Sequence, residues 1–295
     1  MISICVPIYN FDVTLLVKDL QNQISKQKDH SIEIILIDDA SDIFYRNLNS
    51  FLKNSTTYIQ LEKNIGRASI RNLFLEYARN SFLIFLDCDG LLSHNTNFIE
   101  NYLIAAQKNL DVVCGKRIYP ELCPSPNVSL NWKYGTFVEN SSIEINFMSN
   151  NFMIKKTLFD EISFDEELKN YGQEDTLFGI ELEKKNVKIT IINNPVLNGH
   201  LENNSEYLKK YNSSIKNLVE LYLKKKIDKK NYKSIKLLNT FHQLNKLKLT
   251  SLYNIIYQTV RPLLRKNLLG PNPNLKLFNF YKLGEFISIK KELTK

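Results

Sequence analysis

Five short apolar runs punctuate the N-terminal part of the chain, at Ile2–Val6, Ile32–Ile37, Tyr58–Leu61, Phe82–Leu86 and Asp111–Cys114. Helical spacing fills the gaps between them. Over residues 12–28, Val13, Leu16, Val17, Leu20 and Ile24 recur at intervals of three and four, the period of one helix face. Further helices are expected at 43–53, 67–80 and 96–108. Strands separated by helices of this length join through right-handed βαβ crossovers, so the expected fold class is α/β with a mostly parallel sheet. Three of the runs close on polar groups: Tyr9-Asn10, Asp38-Asp39 and Asp87-Cys88-Asp89. Parallel strands would bring these groups to one carboxyl edge, where open α/β sheets bind ligands.

Asp87-Cys88-Asp89 follows the apolar run directly and precedes Gly90. Carboxylates are rarely buried unless paired or bound to a cation. Hard oxygen ligands on a short turn suit Mg²⁺ or Mn²⁺ shared with a diphosphate. Asp-x-Asp also arises by chance, so its weight depends on its neighbours. Asp38-Asp39 ends the second strand, where Ser41 can close an Asx-type turn; capping the helix at 43–53 is the plainer role for these acids. Pro7 fixes the backbone after the first strand and Tyr9 offers an aromatic face, in what is otherwise a strand-ending turn. Gly66 marks a tight turn. Arg71 lies five residues into the next helix and, if buried, needs an anion, for which Asp87 or a substrate phosphate would serve. Arg67 shares its face and is expected to be solvated. Gly172-Gln173-Glu174-Asp175 opens a helix expected over 174–186, and acids at a helix start are favoured by its dipole whatever else they do. His200 follows a strand expected at 188–192; a lone histidine is more often structural or solvated than a ligand.

In chain order these motifs resemble family 2 glycosyltransferases of the GT-A fold. The resemblance covers residues 1–203. It rests on Val6-Pro7-Ile8-Tyr9-Asn10, Ile37-Asp38-Asp39-Ala40-Ser41, Asn64-Ile65-Gly66 with Arg71-Asn72, Asp87-Cys88-Asp89, Gly172-Gln173-Glu174-Asp175 and His200. It implies a nucleotide-diphospho-sugar transferase that is inverting and metal-dependent. Pro7, Tyr9, Asp39, Gly66, Arg71 and Asp87 would bind the nucleotide sugar, with Asp39 accepting from the imide N–H of uracil. Asp89 and His200 would ligate Mn²⁺ or Mg²⁺. Asp175 would be the catalytic base and Glu174 would bind the acceptor, an assignment the sequence leaves open to exchange. The implied donor is a UDP-sugar carrying a hexose or N-acetylhexosamine. The implied acceptor is a saccharide or lipid-linked glycan of a bacterial surface polysaccharide.

Charge divides the chain. Residues 205–295 carry 20 Lys and Arg against 5 Asp and Glu, whereas residues 1–204 carry 19 against 26. The expected domains are therefore a catalytic 1–203 and a basic, mainly helical extension, 204–295. The extension either packs on the core or meets an anionic membrane surface; nucleic acid is not an expected partner, because the part bearing the site motifs is acidic. No apolar run reaches the roughly 20 residues of a membrane span. The cysteines Cys5, Cys88, Cys114 and Cys123 have no paired spacing, which points to a reducing cytoplasmic setting, with peripheral membrane attachment as an option. Residues 116–135, with Pro120, Pro124 and Pro126, are expected to form a loop. Two rival readings are a sugar nucleotidyltransferase, for which Val6–Asn10 lacks a Gly-rich phosphate loop, and a non-catalytic binding protein.

Overall fold

The computed structural model describes residues 1–27, 31–139, 147–168 and 171–294. It divides into two compact units. One comprises Met1–Tyr119, Ile143–Lys169 and Glu174–His200; the other comprises Pro120–Ser142, Asn170–Gln173 and Leu201–Lys295.

The first unit is built on strands β1 (Ile2–Ile8), β2 (Ile32–Asp38), β3 (Thr57–Gln60), β4 (Phe82–Leu86), β5 (Gly90–Leu91), β6 (Val112–Cys114), β7 (Arg117–Ile118), β8 (Asn151–Lys155), β9 (Ile189–Ile191) and β10 (Val196–Asn198). Seven of them form one sheet in the order β3-β2-β1-β4-β8-β6-β9. The pairs β3–β2, β2–β1, β1–β4 and β6–β9 are parallel, and only β8 runs against its neighbours. Both faces are covered, which is why the strands read as unbroken apolar runs. Alternate residues serve opposite faces. Ile4, Val6, Leu36, Ile84 and Leu86 join a core with the helices Thr14–Ile24 and Phe98–Gln107. Cys5, Ile35, Ile37, Leu83 and Phe85 join another with the helices Arg67–Tyr77, Lys156–Glu161 and Glu174–Lys184. The apolar moments expected from sequence thus become two layers of helix on one sheet. The ends of β1, β2 and β4 lie side by side, as expected for Tyr9-Asn10, Asp38-Asp39 and Asp87-Cys88-Asp89.

A second, three-stranded sheet has the order β5-β10-β7. It brings together segments that are distant in sequence. Gly90 pairs with Asn198, and Leu197 with Ile118.

The second unit is helical among its described residues. Its helices are Ser129–Tyr134, Asn204–Leu223, Lys236–Lys246, Thr250–Leu269 and Leu275–Leu293. Leu130, Leu208, Tyr257, Leu264, Leu268, Phe278 and Tyr281 form its core. The loop expected at 116–135 is instead partly regular. Arg117–Ile118 is a strand, and a 3₁₀ turn at Pro126–Val128 leads into Ser129–Tyr134. Pro126 does not break the segment: it stands in a first turn that Ser125 caps by accepting from the Asn127 N–H, and proline is tolerated at that position. The tail after Gly270, unassigned from sequence, is a helix capped by Asn274. The end of the first helix, expected at residue 28, lies outside the described residues.

Candidate active site

Every expected site residue belongs to the first unit. Its construction begins at the carboxyl ends of β1 and β2. The Asn10 N–H donates to Ser41 Oγ at 2.8 Å, and the Asp42 N–H returns to Asn10 Oδ1 at 2.7 Å. Asp38 accepts from the Ser41 N–H at 2.7 Å and from the Tyr58 hydroxyl at 3.1 Å. Asp39 reaches the other way: Oδ1 accepts from the Ile65 N–H at 2.7 Å and Oδ2 from the Gly66 N–H at 3.1 Å. Neither acid caps the helix at Ile43–Asn49, whose N-cap is Asp42. Asp39 fixes the turn that launches Arg67–Tyr77. Burial pushes its carboxyl up, and those two N–H bonds oppose the rise. Each carboxylate oxygen has two lone pairs, so a further donor can still be accepted. Gly66 sits at φ +86°, left-handed backbone that favours glycine. Tyr9 is exposed.

The helix launched by that turn delivers Arg71 to the end of β4. Arg71 is almost fully buried and its guanidinium holds Asp87 Oδ1 at 2.8 Å. It lies 5.6 Å from the Phe164 ring centroid. Of the two partners open to Arg71 in the sequence, Asp87 is the one it meets. Its neighbour Asn72 bonds both backbone groups of Phe164, each at 2.9 Å. Arg67, expected to be solvated, is half-exposed and approaches Glu174 to 3.6 Å. The two arginines therefore link the acids after β4 to the acids of the helix Glu174–Lys184. Glu174 is buried, and its Oε2 has no hydrogen-bond partner. Asp175 accepts from the Thr176 N–H at 2.7 Å. Burial, and then the neighbouring Glu174 charge, push the Asp175 carboxyl up to about 7, while the Thr176 N–H bond and then Arg71 and Arg67 pull it back.

On the other side of Asp87, the small sheet fixes Asp89. The Gly199 N–H donates to the Asp89 carbonyl at 2.8 Å, so His200 follows directly on the residue bonded to Asp89. His200 is exposed and packs edge-on against Phe11. The Asp89 carboxylate is held at Oδ2 by Arg117, at 2.8 Å. Burial pushes this carboxyl up; Arg117 opposes the shift. Arg117 was not singled out in the sequence. Its role depends on β7 pairing with β10, a long-range contact with no local signal. Cys88 between the acids is pushed up to about 12 by burial and the two flanking carboxylates, so its thiol stays protonated.

These residues form no all-protein metal cage: among the described residues no three His, Cys, Asp or Glu side chains converge. Mg²⁺ and Mn²⁺ sites that work on diphosphates commonly take one or two protein ligands and complete the shell with phosphate oxygens and water. Asp89 and His200, neighbours in the fold through the Gly199–Asp89 backbone bond, carry the oxygen and imidazole donor types that such a site takes. Arg117 engages one oxygen of Asp89 and leaves Oδ1 outside the pair.

Comparison with known proteins agrees with this architecture. The chain is 24% identical to chondroitin synthase from Pasteurella multocida (strain Pm70) over 238 residues, which is 65% of this chain and 24% of that protein; it thus spans about a quarter of that relative. The structure of S. aureus TarS residues 1–349 superposes with a TM-score of 0.55 at 18% identity, covering 99% of this chain and 91% of that one. A mannosyltransferase from Pyrobaculum calidifontis, solved with GDP-Man and Mn²⁺, gives 0.55 at 12% identity, with 99% and 86% covered. Glucosyl-3-phosphoglycerate synthase from Mycobacterium tuberculosis, solved with Mn²⁺, UDP and glucosyl-3-phosphoglycerate, gives 0.52 at 15% identity, with 75% and 79% covered. The fold is the GT-A fold of these glycosyltransferases. The description "Glycosyl transferase family 2" matches residues 3–165, more than half of the chain, and the protein belongs to that glycosyltransferase family.

Proposed function

We propose that the protein is an inverting glycosyltransferase that moves a hexose or N-acetylhexosamine from a UDP-sugar to a saccharide or lipid-linked acceptor, in the cytoplasmic assembly of a bacterial surface polysaccharide. One observation carries the reading. Arg71 and Arg67 connect Asp87, at the end of β4, to Glu174 in a helix that begins almost 90 residues later in sequence. Asp87 and Glu174 are thereby tied into one charged cluster, whose two arginines also act on the raised carboxyl of Asp175. The relative solved with UDP, and S. aureus TarS solved with UDP-GlcNAc at a TM-score of 0.50, support a uridine donor by analogy of fold.

The chemistry follows from the residues. A base works best with a pKa near the working pH, and a carboxyl raised to about 7 meets that condition. Asp175 takes the proton of the acceptor hydroxyl as that oxygen bonds to the anomeric carbon. The bond from that carbon to the diphosphate oxygen breaks, and its electron pair leaves with UDP. One displacement inverts the configuration and needs no covalent sugar–enzyme intermediate. Glu174 Oε2, buried without a partner, accepts from a substrate hydroxyl, which removes the cost of an orphaned acceptor. Pro7 and Tyr9 line the base side, Gly66 holds the turn, and Asp39, steadied by that turn, accepts from uracil. Arg71 holds Asp87 toward the nucleoside. Asp89 and His200 would hold Mn²⁺ or Mg²⁺, which supplies charge neutralisation at the leaving diphosphate.

Thermal unfolding with UDP, with and without Mn²⁺, tests the donor and metal assignments separately. UDP with Mn²⁺ should raise the melting temperature of the native protein, and Asp89→Ala should lose the Mn²⁺-dependent part of the rise. No response to UDP would sink the donor assignment. A full Mn²⁺-dependent rise in Asp89→Ala would sink the metal role.

A further inference from the structure

The helix Thr250–Leu269 has two apolar faces, and only one is used inside its unit. Tyr257, Leu264 and Leu268 point into the core with Phe278 and Tyr281. On the other side Leu252, Ile255, Ile256 and Leu263 are 55%, 65%, 47% and 69% exposed. Their spacing of three, one and seven residues keeps them on one stripe of an α-helix. Leu247 and Leu249, just ahead of the helix, are exposed too. A run of large aliphatic side chains left in water is unusual on a soluble surface and marks a contact site.

Charge selects the occupant. Residues 229–284 contain 11 Lys and Arg and no Asp or Glu. Lys246 and Lys248 stand just before the stripe, and Arg265 and Lys266 at its far end; all four are exposed. A second copy of the chain would set these cations against themselves. A bilayer rich in anionic lipid offers apolar depth to the aliphatic stripe and negative headgroups to the flanking cations at once. No helix among the described residues is long and apolar enough to cross a membrane, which fits a helix lying in the interface. We infer that the helix Thr250–Leu269 is a peripheral docking surface for an anionic lipid bilayer, with Leu252, Ile255, Ile256 and Leu263 entering the acyl boundary. This surface lies wholly in the second unit and does not depend on the donor or the chemistry proposed above.

Co-sedimentation of the full chain with vesicles tests it. The probes are vesicles of phosphatidylcholine alone and of phosphatidylcholine mixed with phosphatidylglycerol. The native protein should pellet with the mixed vesicles and stay in solution with the neutral ones. Ile255→Ser with Leu263→Ser should lower the partition coefficient at least tenfold while leaving the melting temperature and the UDP response unchanged. Lys248→Glu with Lys266→Glu should also release the protein, and high salt should mimic that release. Equal pelleting of the native chain and both double variants would overturn the inference, as would a native chain that stays in the supernatant. A concentration-dependent dimer abolished by the serine pair, with no vesicle binding, would assign the stripe to a second copy instead. Because UDP response is read on the same samples, a failure here is distinguishable from a failure of the donor assignment.

Discussion

At the scale of single residues, the site is a set of carboxylates whose partners divide their tasks. Asp38 and Asp39 sit next to each other and point to different work: one closes its own turn and braces Tyr58, while the other bonds the turn at Ile65 and Gly66. Their presence was legible in the sequence; their hydrogen bonds were not, because the Ile65–Gly66 partner lies 26 residues away. Arg71 was legible as a buried cation in search of an anion. Arg117 was not legible, since nothing local connects it to Asp89. Asp175 yields a stability prediction with a definite sign. Its pKa is raised in the folded state, so its contribution is fully present below the ordinary aspartate range, near pH 4, and is lost as pH rises through about 7. Asp175→Asn, which cannot ionise, should therefore melt at a higher temperature than the native chain at about pH 8 and converge with it at about pH 4. A variant less stable than the native chain at the higher pH would show that the buried carboxylate is better compensated than its surroundings indicate.

At the scale of elements, two glycines show how differently one residue type can be required. Gly66 is needed for its backbone. At φ +86° and ψ 168° its backbone lies where essentially only glycine is found, and an alanine there costs about 1–3 kcal/mol. Gly284 is needed for space. It lies in Leu275–Leu293 with ordinary helical backbone, and a Cβ there would run into the Tyr257 ring. Overpacking of this kind costs about 1–3 kcal/mol or more. The Tyr257 hydroxyl is bonded to Glu285, itself paired with Arg261 at 2.7 Å, so the ring has little freedom to yield. Gly284→Ala should thus lower stability by more than Gly66→Ala in chemical denaturation. The reverse order would mean that the Tyr257 ring repacks freely. Helical periodicity alone does not say which apolar positions face inward. In Thr250–Leu269 the adjacent leucines Leu263 and Leu264 part ways, Leu263 exposed and Leu264 buried.

At the scale of the whole molecule, the α/β order of the first 115 residues followed from alternating periods, because a parallel strand needs a crossover helix wherever it occurs. The antiparallel direction of β8 and the three-stranded sheet were not foreseen: direction is set by distant partners, and β5, β7 and β10 are very short. Composition marked a basic C-terminal part, but the second unit also takes Pro120–Ser142 and Asn170–Gln173, which no change in composition announces. Ligand linkage gives a prediction for the intact chain. UDP with Mn²⁺ at about 100 times its Kd should add about 2.7 kcal/mol to the unfolding free energy, and nucleoside diphosphates with a purine base should add less if Asp39 reads uracil. Equal stabilisation by GDP and UDP would remove base reading from Asp39.

In the proposed reaction Asp175 removes the acceptor's proton in a direct displacement at a UDP-sugar. The measurement that tests it is the rate of UDP release from the best donor of a UDP-sugar panel, compared between the native chain and Asp175→Asn at saturating donor. A loss of about 10²–10⁴-fold in that rate is expected, the range typical of a removed general base, with the affinity for UDP unchanged. A variant turning over within a few-fold of the native rate would contradict it and move the base to another group.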